Sequence, residues 1–112
     1  VIHGDLATRN VLLTSTLDVK VTDFGLARQL NNYSMYVKTQ DTPLPWRWLA
    51  LESHRDMVFT SKSDVWSYGI TLWEIFTLAE IPYAGATNCC QVVEDLEEGY
   101  RMRRPKYSTV SM

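Results

Sequence analysis

His3-Gly4-Asp5-Leu6-Ala7-Thr8-Arg9-Asn10, followed further along by Asp23-Phe24-Gly25, is the stretch on which the reading of this chain turns. Between the two motifs, Val11-Leu12-Leu13 is a short apolar run, Thr14 to Asp18 read as a polar turn, and Val19-Lys20-Val21-Thr22 alternates like a half-buried strand. The pattern predicts two short strands with a tight connection, which puts Asp5, Asn10 and Asp23 at element ends. Carboxylate and amide oxygens in such places suit a hard cation such as Mg²⁺, which keeps several waters and completes its shell with substrate phosphates. With Asn10 and Asp23 as ligands, Asp5 is free to act on a hydroxyl. Each motif alone recurs by chance, but in this order and separated by two strands they reinforce one another.

Downstream, from Asp23 to about Trp48, periodicity disappears and Asn, Ser, Thr, Gln and Pro accumulate, with Pro43 and Pro45 as punctuation. Loops longer than about 15 residues are uncommon and usually functional, so Leu26 to Trp48 is marked for function. Ser61-Lys62-Ser63-Asp64 offers a capping-box-like start, with Ser61 as the cap, for a helix from about Lys62 to Thr77. Val65, Trp66, Tyr68, Ile70, Leu72, Trp73, Ile75 and Phe76 cover nearly every face of it, the pattern of a helix buried at the centre of a larger protein. Asn88 to Glu98 reads as a surface helix with Val92, Val93 and Leu96 inward and the acids Glu94, Asp95, Glu97 and Glu98 solvated, stopped by Gly99 and followed by Pro105. An all-round apolar helix and two short strands leave too little cover, so the pattern predicts a fragment of a larger domain.

The 112 residues are 46% hydrophobic and 21% charged, the composition of a globular protein and not of a disordered or fibrous one. Their formal charge of −2 excludes a nucleic-acid surface, since Arg101, Arg103 and Arg104 are the densest basic cluster. Cys89 and Cys90 are adjacent, without metal spacing or a disulfide framework, which favours a reducing compartment. Neither a signal-peptide layout nor an apolar run of about 20 residues is present in the stretch. The four tryptophans, Trp46, Trp48, Trp66 and Trp73, read as core and loop anchors.

Taken together, the motifs resemble the protein kinase catalytic domain, and its tyrosine kinase group in particular. His3 to Asn10 is similar to the catalytic loop H-R-D-L-A-A-R-N, Asp23 to Gly25 to D-F-G, and Ala50-Leu51-Glu52 to A-P-E. Ala7-Thr8-Arg9 and Leu44-Pro45-Trp46-Arg47-Trp48 carry the tyrosine-kinase character, the latter resembling L-P-V-K-W. Ser63 to Gly69 resembles the start of the central large-lobe helix, and Pro82-Tyr83-Ala84-Gly85 the turn after it. The resemblance implies an α+β chain: an incomplete C-terminal, mainly helical lobe. Its catalytic loop would span 3–10, the D-F-G motif and activation segment 23–52, the central helix about 62–77 and a later helix about 88–98.

The resemblance further implies transfer of the γ-phosphoryl group of ATP to protein tyrosine, with Asp5 accepting the hydroxyl proton, Asn10 and Asp23 holding Mg²⁺ and nucleotide phosphates, and Arg9 placing the acceptor. Tyr36 and Tyr33 would be regulatory phosphorylation sites, Tyr36 aligning best with the main one. His3, Phe24, Gly25, Glu52 and Asp64 would be structural supports: Asp64 as brace of the catalytic loop or as helix cap, Glu52 as an ion-pairing residue. Gly99-Tyr100-Arg101-Met102 and the Leu-Pro…Trp pairing resemble receptor-type kinases, such as growth-factor receptors of the vascular or platelet-derived class. The parent would then span the plasma membrane with this segment cytoplasmic, and self-associate for trans-autophosphorylation.

Departures matter too. Gly4 stands where the family usually has the Arg that meets the activation-loop phosphate, so activation is expected to depend less on Tyr36. Leu51 replaces the A-P-E proline, and Thr8 an alanine. The competing readings are a pseudokinase that binds partners without phosphotransfer, motivated by Gly4, and a free-standing interaction domain.

Overall fold

Main-chain pairing in the computed structural model, which describes residues 2–24, 35–37, 45–105 and 107, gives a mixed α+β arrangement. Strands β1 (Val11–Leu13) and β2 (Val19–Val21) form one antiparallel pair with Val11 opposite Val21 and Leu13 opposite Val19. Their connection is closed by Thr14 N donating to Asp18 O at 2.9 Å and by the Thr14 hydroxyl accepting from Asp18 N at 3.0 Å. Leu17 takes a left-handed φ of 66° to complete the turn.

A second antiparallel pair joins β3 (Met35–Val37) to β4 (Val58–Thr60), with Tyr36 opposite Phe59. This pair falls partly inside the stretch read from the sequence as a loop. Three residues are too few to display a period of two, and the pairing is non-local, so no local pattern announces it. Phe59 supplies the anchor: it is buried with Ile2 and Leu49 in one small core.

A 3-10 turn at Trp46–Trp48 leads into helix α1 (Leu51–Asp56), which ends where Met57 turns left-handed and its N–H returns to the Ser53 carbonyl. Arg47 ties the 3-10 turn to the loop beyond the central helix: Nε donates to Pro82 O at 3.0 Å and Nη2 to Ala86 O at 3.2 Å, while the guanidinium lies over the Trp46 ring.

The central helix, α2, runs Ser61–Phe76, and its cap is Thr60 rather than Ser61. The Thr60 hydroxyl accepts from Lys62 N and Ser63 N, and Ser63 Oγ accepts from Thr60 N at 3.0 Å. A reciprocal box needs its partner three residues after the cap, and Ser63 stands at that distance only from Thr60. The buried residues of α2 are Ser63, Ser67, Ile70, Thr71 and Glu74. Most of the buried stripe is therefore polar, while Val65, Tyr68 and Ile75 are exposed.

Helix α3 (Cys89–Glu97) is capped by Asn88, whose Oδ1 accepts from Gln91 N at 3.0 Å. Val92 and Leu96 bury against Ala86, with Trp46, Leu51, Trp66 and Tyr83 packed around them in a second core. Its end is closed by Gly99 N donating to Leu96 O and Tyr100 N to Asp95 O, with Gly99 at φ +94°, a conformation that favours glycine. Cys89 and Cys90 are exposed and unpaired with one another. Among the described residues no helix is long and apolar enough to cross a membrane.

Candidate active site

The site is assembled where the catalytic-loop motif meets the end of β2 and the first turn of α2. Asp64 accepts from two successive backbone amides, His3 N at 2.7 Å on Oδ2 and Gly4 N at 3.1 Å on Oδ1. Since Thr60 caps the helix, the Asp64 carboxylate is available for this bracing. Gly4 sits at φ +83°, where a side chain would be strained.

His3, buried at 6% exposure, links both motifs. Its Nδ1 accepts from Asp5 N at 3.0 Å, which leaves the proton on Nε2, and Nε2 donates to the Thr22 carbonyl at 2.9 Å. Phe24 tilts against the imidazole with ring centroids 4.7 Å apart. His3 thus orients the residue before Asp23 and the backbone of Asp5 together, and both of its ring nitrogens are engaged.

Asn10 lies in a 3-10 turn, Thr8–Asn10, that follows from Asn10 N bonding to Ala7 O. Its Nδ2 donates to the Asp5 carbonyl at 2.8 Å, so the amide oxygen is the atom left to coordinate a ligand. Thr22 N donates to the Asn10 carbonyl at 2.8 Å, fixing Asp23, the next residue, beside Asn10. Asp23 is exposed at φ +58°. One amide oxygen and one carboxylate are a donor set that fits Mg²⁺, which takes few protein oxygens and fills its shell with phosphate and water. Among the described residues no group of three or more His, Cys, Asp or Glu side chains is placed to cage a metal on its own.

Arg9 is half-exposed; one Nη2 donates to the Asp5 carboxylate and the guanidinium lies 4.4 Å from the centre of the Trp48 ring. The sequence reading missed what stands behind this pair. Glu74 on α2 accepts from Thr8 N at 3.0 Å, from the Thr8 hydroxyl at 2.7 Å and from Trp48 Nε1 at 2.7 Å. The available signal was a lone acid within Leu72-Trp73-Glu74-Ile75-Phe76, since a carboxylate amid apolar helix residues is seldom buried unless partnered.

Asp5, Arg9, Asn10 and Asp23 are therefore gathered at one end of the β1–β2 pair, with His3, Phe24 and Asp64 around them. Glu52 is half-buried on α1 and forms no ion pair with a described residue. Tyr36 falls in β3, while Tyr33 and Gly25 lie outside the described residues.

A family model described as protein tyrosine and serine/threonine kinase matches residues 1–112. The chain belongs to this protein kinase family. It is similar to vascular endothelial growth factor receptor 1 of Homo sapiens, at 51% identity over 108 residues, covering 96% of this chain and 8% of that receptor. It is similar also to the fibroblast growth factor receptor of Halocynthia roretzi, at 46% identity over 99% of this chain and 14% of the relative. The mast/stem cell growth factor receptor Kit of Takifugu rubripes is 47% identical over 99% of this chain and 11% of its own length. The chain thus spans a small part of the relatives it matches, and within the protein kinase family it is a small α+β piece of the kinase domain.

Proposed function

We propose that this chain is the catalytic-loop to mid-large-lobe part of a protein tyrosine kinase, which transfers the γ-phosphoryl group of ATP to a protein tyrosine. The observation that carries the reading is the hydrogen-bonded frame of His3, Asn10, Thr22 and Asp64, which holds Asp5 beside Asn10 and the start of the Asp23-Phe24 motif. The tyrosine oxygen attacks the γ-phosphorus as the bond to the bridging oxygen breaks and ADP leaves, and the phenolic proton passes to the Asp5 carboxylate. Arg9, paired with that carboxylate, places the acceptor ring. Asn10 and Asp23 would hold Mg²⁺, which when bound neutralises charge on the phosphates. Such positioning and charge stabilisation supply most of the catalysis in phosphoryl transfer.

The similarity to growth factor receptors supports a receptor-type parent in the plasma membrane, self-associating so that one copy phosphorylates the other, with this segment cytoplasmic. Tyr36 and Tyr33 are the acceptors proposed for that reaction. Because Gly4 offers no cation, phosphate on Tyr36 finds no bidentate partner at position 4, and activation depends less on it. Asp5, Asn10 and Asp23 are all present, and no observation favours a pseudokinase.

The test is Asp5→Asn in the complete kinase domain, assayed with Mg-ATP and a tyrosine peptide. The rate should fall by at least about 100-fold, the range of a lost general base. A wild-type domain that transfers no phosphate, or a variant as fast as wild type, would falsify the reading.

A further inference from the structure

We propose that Glu74 is a positioning residue for the acceptor side of this site, an inference that rests on the tyrosine-kinase reading above. Glu74 is 7% exposed, and its carboxylate engages three donors, Thr8 N, Thr8 Oγ1 and Trp48 Nε1. Those donors flank Arg9 from two directions. Thr8 is the residue before it, and Trp48 carries the ring on which its guanidinium lies.

Trp48 is pinned at both ends by α2. Its indole N–H donates to Glu74 Oε1 at 2.7 Å, and its carbonyl accepts from the Ser67 hydroxyl at 2.7 Å. Arg9 itself is a long side chain, 44% exposed, held among the described residues by the Trp48 ring and the Asp5 carboxylate. A half-exposed arginine has many rotamers to lose, so whatever fixes the ring beneath it decides how much of its direction is pre-set. Glu74 does this through Trp48 and fixes the backbone of the arginine through Thr8. A carboxylate suits the task because it only accepts, and all three groups facing it donate.

The Thr8 hydroxyl is the part peculiar to a threonine at this position. It occupies Oε2, the oxygen that the backbone amide and the indole do not reach. Glu74 touches neither nucleotide nor acceptor; it acts through Arg9, and its loss should be felt on the peptide and not on ATP.

The test uses the complete kinase domain and measures KM for a tyrosine peptide, KM for Mg-ATP, and hydrogen exchange of the 5–10 segment. Glu74→Gln should raise the peptide KM about 10-fold, as misplacement of a positioning group does, with the KM for Mg-ATP moving less than about twofold. Amides of residues 5–10 should exchange faster. Thr8→Val and Trp48→Phe each remove one donor and should raise the peptide KM by smaller factors, with Thr8→Ser restoring it. A folded Glu74→Gln domain with unchanged peptide KM, or with both KM values rising in parallel, overturns the proposal. Should Glu74→Gln fail to fold, unchanged peptide KM in both Thr8→Val and Trp48→Phe overturns it equally. A wild-type domain inactive on any tyrosine peptide sinks the kinase reading, whereas an active one indifferent to these changes sinks only the role of Glu74.

Discussion

The two faces of α2 invert the usual relation between burial and polarity. Ser63, Ser67, Thr71 and Glu74 face inward and are buried, whereas Val65, Tyr68 and Ile75 stand 60%, 54% and 49% exposed. A surface helix ordinarily turns its apolar stripe to the core. Here the inner face meets the Thr8–Asn10 and Trp46–Trp48 turns as well as β4, and irregular segments bring backbone groups that need partners. Ser67 serves the Trp48 carbonyl, Glu74 the Thr8 amide, and Asp64, at the start of the same helix, the amides of His3 and Gly4. The polar face works as a rack on which irregular segments are hung, and the apolar face fits the core of the larger domain proposed for the parent.

The sharpest way to break that contrast is at Asp64. Asp64→Ala removes the acceptor of two backbone amides in one step, and hydrogen bonds to a charged group contribute about 1.5–3 kcal/mol each. In the complete domain we expect a loss of about 3 kcal/mol in urea unfolding, with peptide phosphorylation falling in parallel because Asp5 follows directly on the unbraced residues. A stability change under about 0.5 kcal/mol would mean that the loop holds itself.

The outer face gives the second test. Ile75→Ser in the complete domain should cost about 2 kcal/mol if the rest of the parent covers this face, the magnitude of losing one buried aliphatic side chain. If Ile75 faces water in the parent as it does here, the change stays within about 0.5 kcal/mol, typical of surface substitutions. Paired with Asp64→Ala, this separates a helix used on both faces from one used on its polar face alone.

How much of this was legible beforehand follows from the range of each interaction. The β1–β2 pair and α3 were readable because their signals are local: Val19-Lys20-Val21 alternates, although all three are exposed here and not half-buried as the alternation predicts, and Asn88 and Gly99 mark the ends of α3. The extent of α2 was readable to within a residue, but its orientation was not, for a hydrophobic pattern places Tyr68 and Ile75 inside. The β3–β4 pair was invisible because its strands are three residues long and distant in sequence. At the site, Asp5, Asn10 and Asp23 carried their own motif signals. Glu74 did not, because what makes it informative is its partners Thr8 and Trp48, far away along the chain.

The smallest effect tests the opposite of a partnered polar interior. Ser67, Thr71 and Glu74 all find hydrogen bonds, but His54 Nε2 on α1 and Trp66 Nε1 are buried without one among the described residues. Burial lowers the His54 pKa below its ordinary 6.5, outweighing a backbone hydrogen bond with Trp46 that acts the other way. In the window between the folded value and 6.5 the unfolded chain therefore binds more protons than the native one, and stability rises with pH. The stability of the intact domain should accordingly fall as pH drops through 6.5, by no more than about 1.4 kcal/mol per pH unit for one proton. His54→Gln should flatten that part of the curve while leaving the alkaline side unchanged. Melting temperatures of the two proteins from pH 5 to 8 read this directly, since His3 is common to both. Curves that stay parallel across the window would show that His54 reaches solvent in the intact domain. The unpartnered group on α1 would then be solvated, leaving Trp66 Nε1, on α2 itself, as the unpartnered buried group beside an inner face whose Ser67, Thr71 and Glu74 are all satisfied.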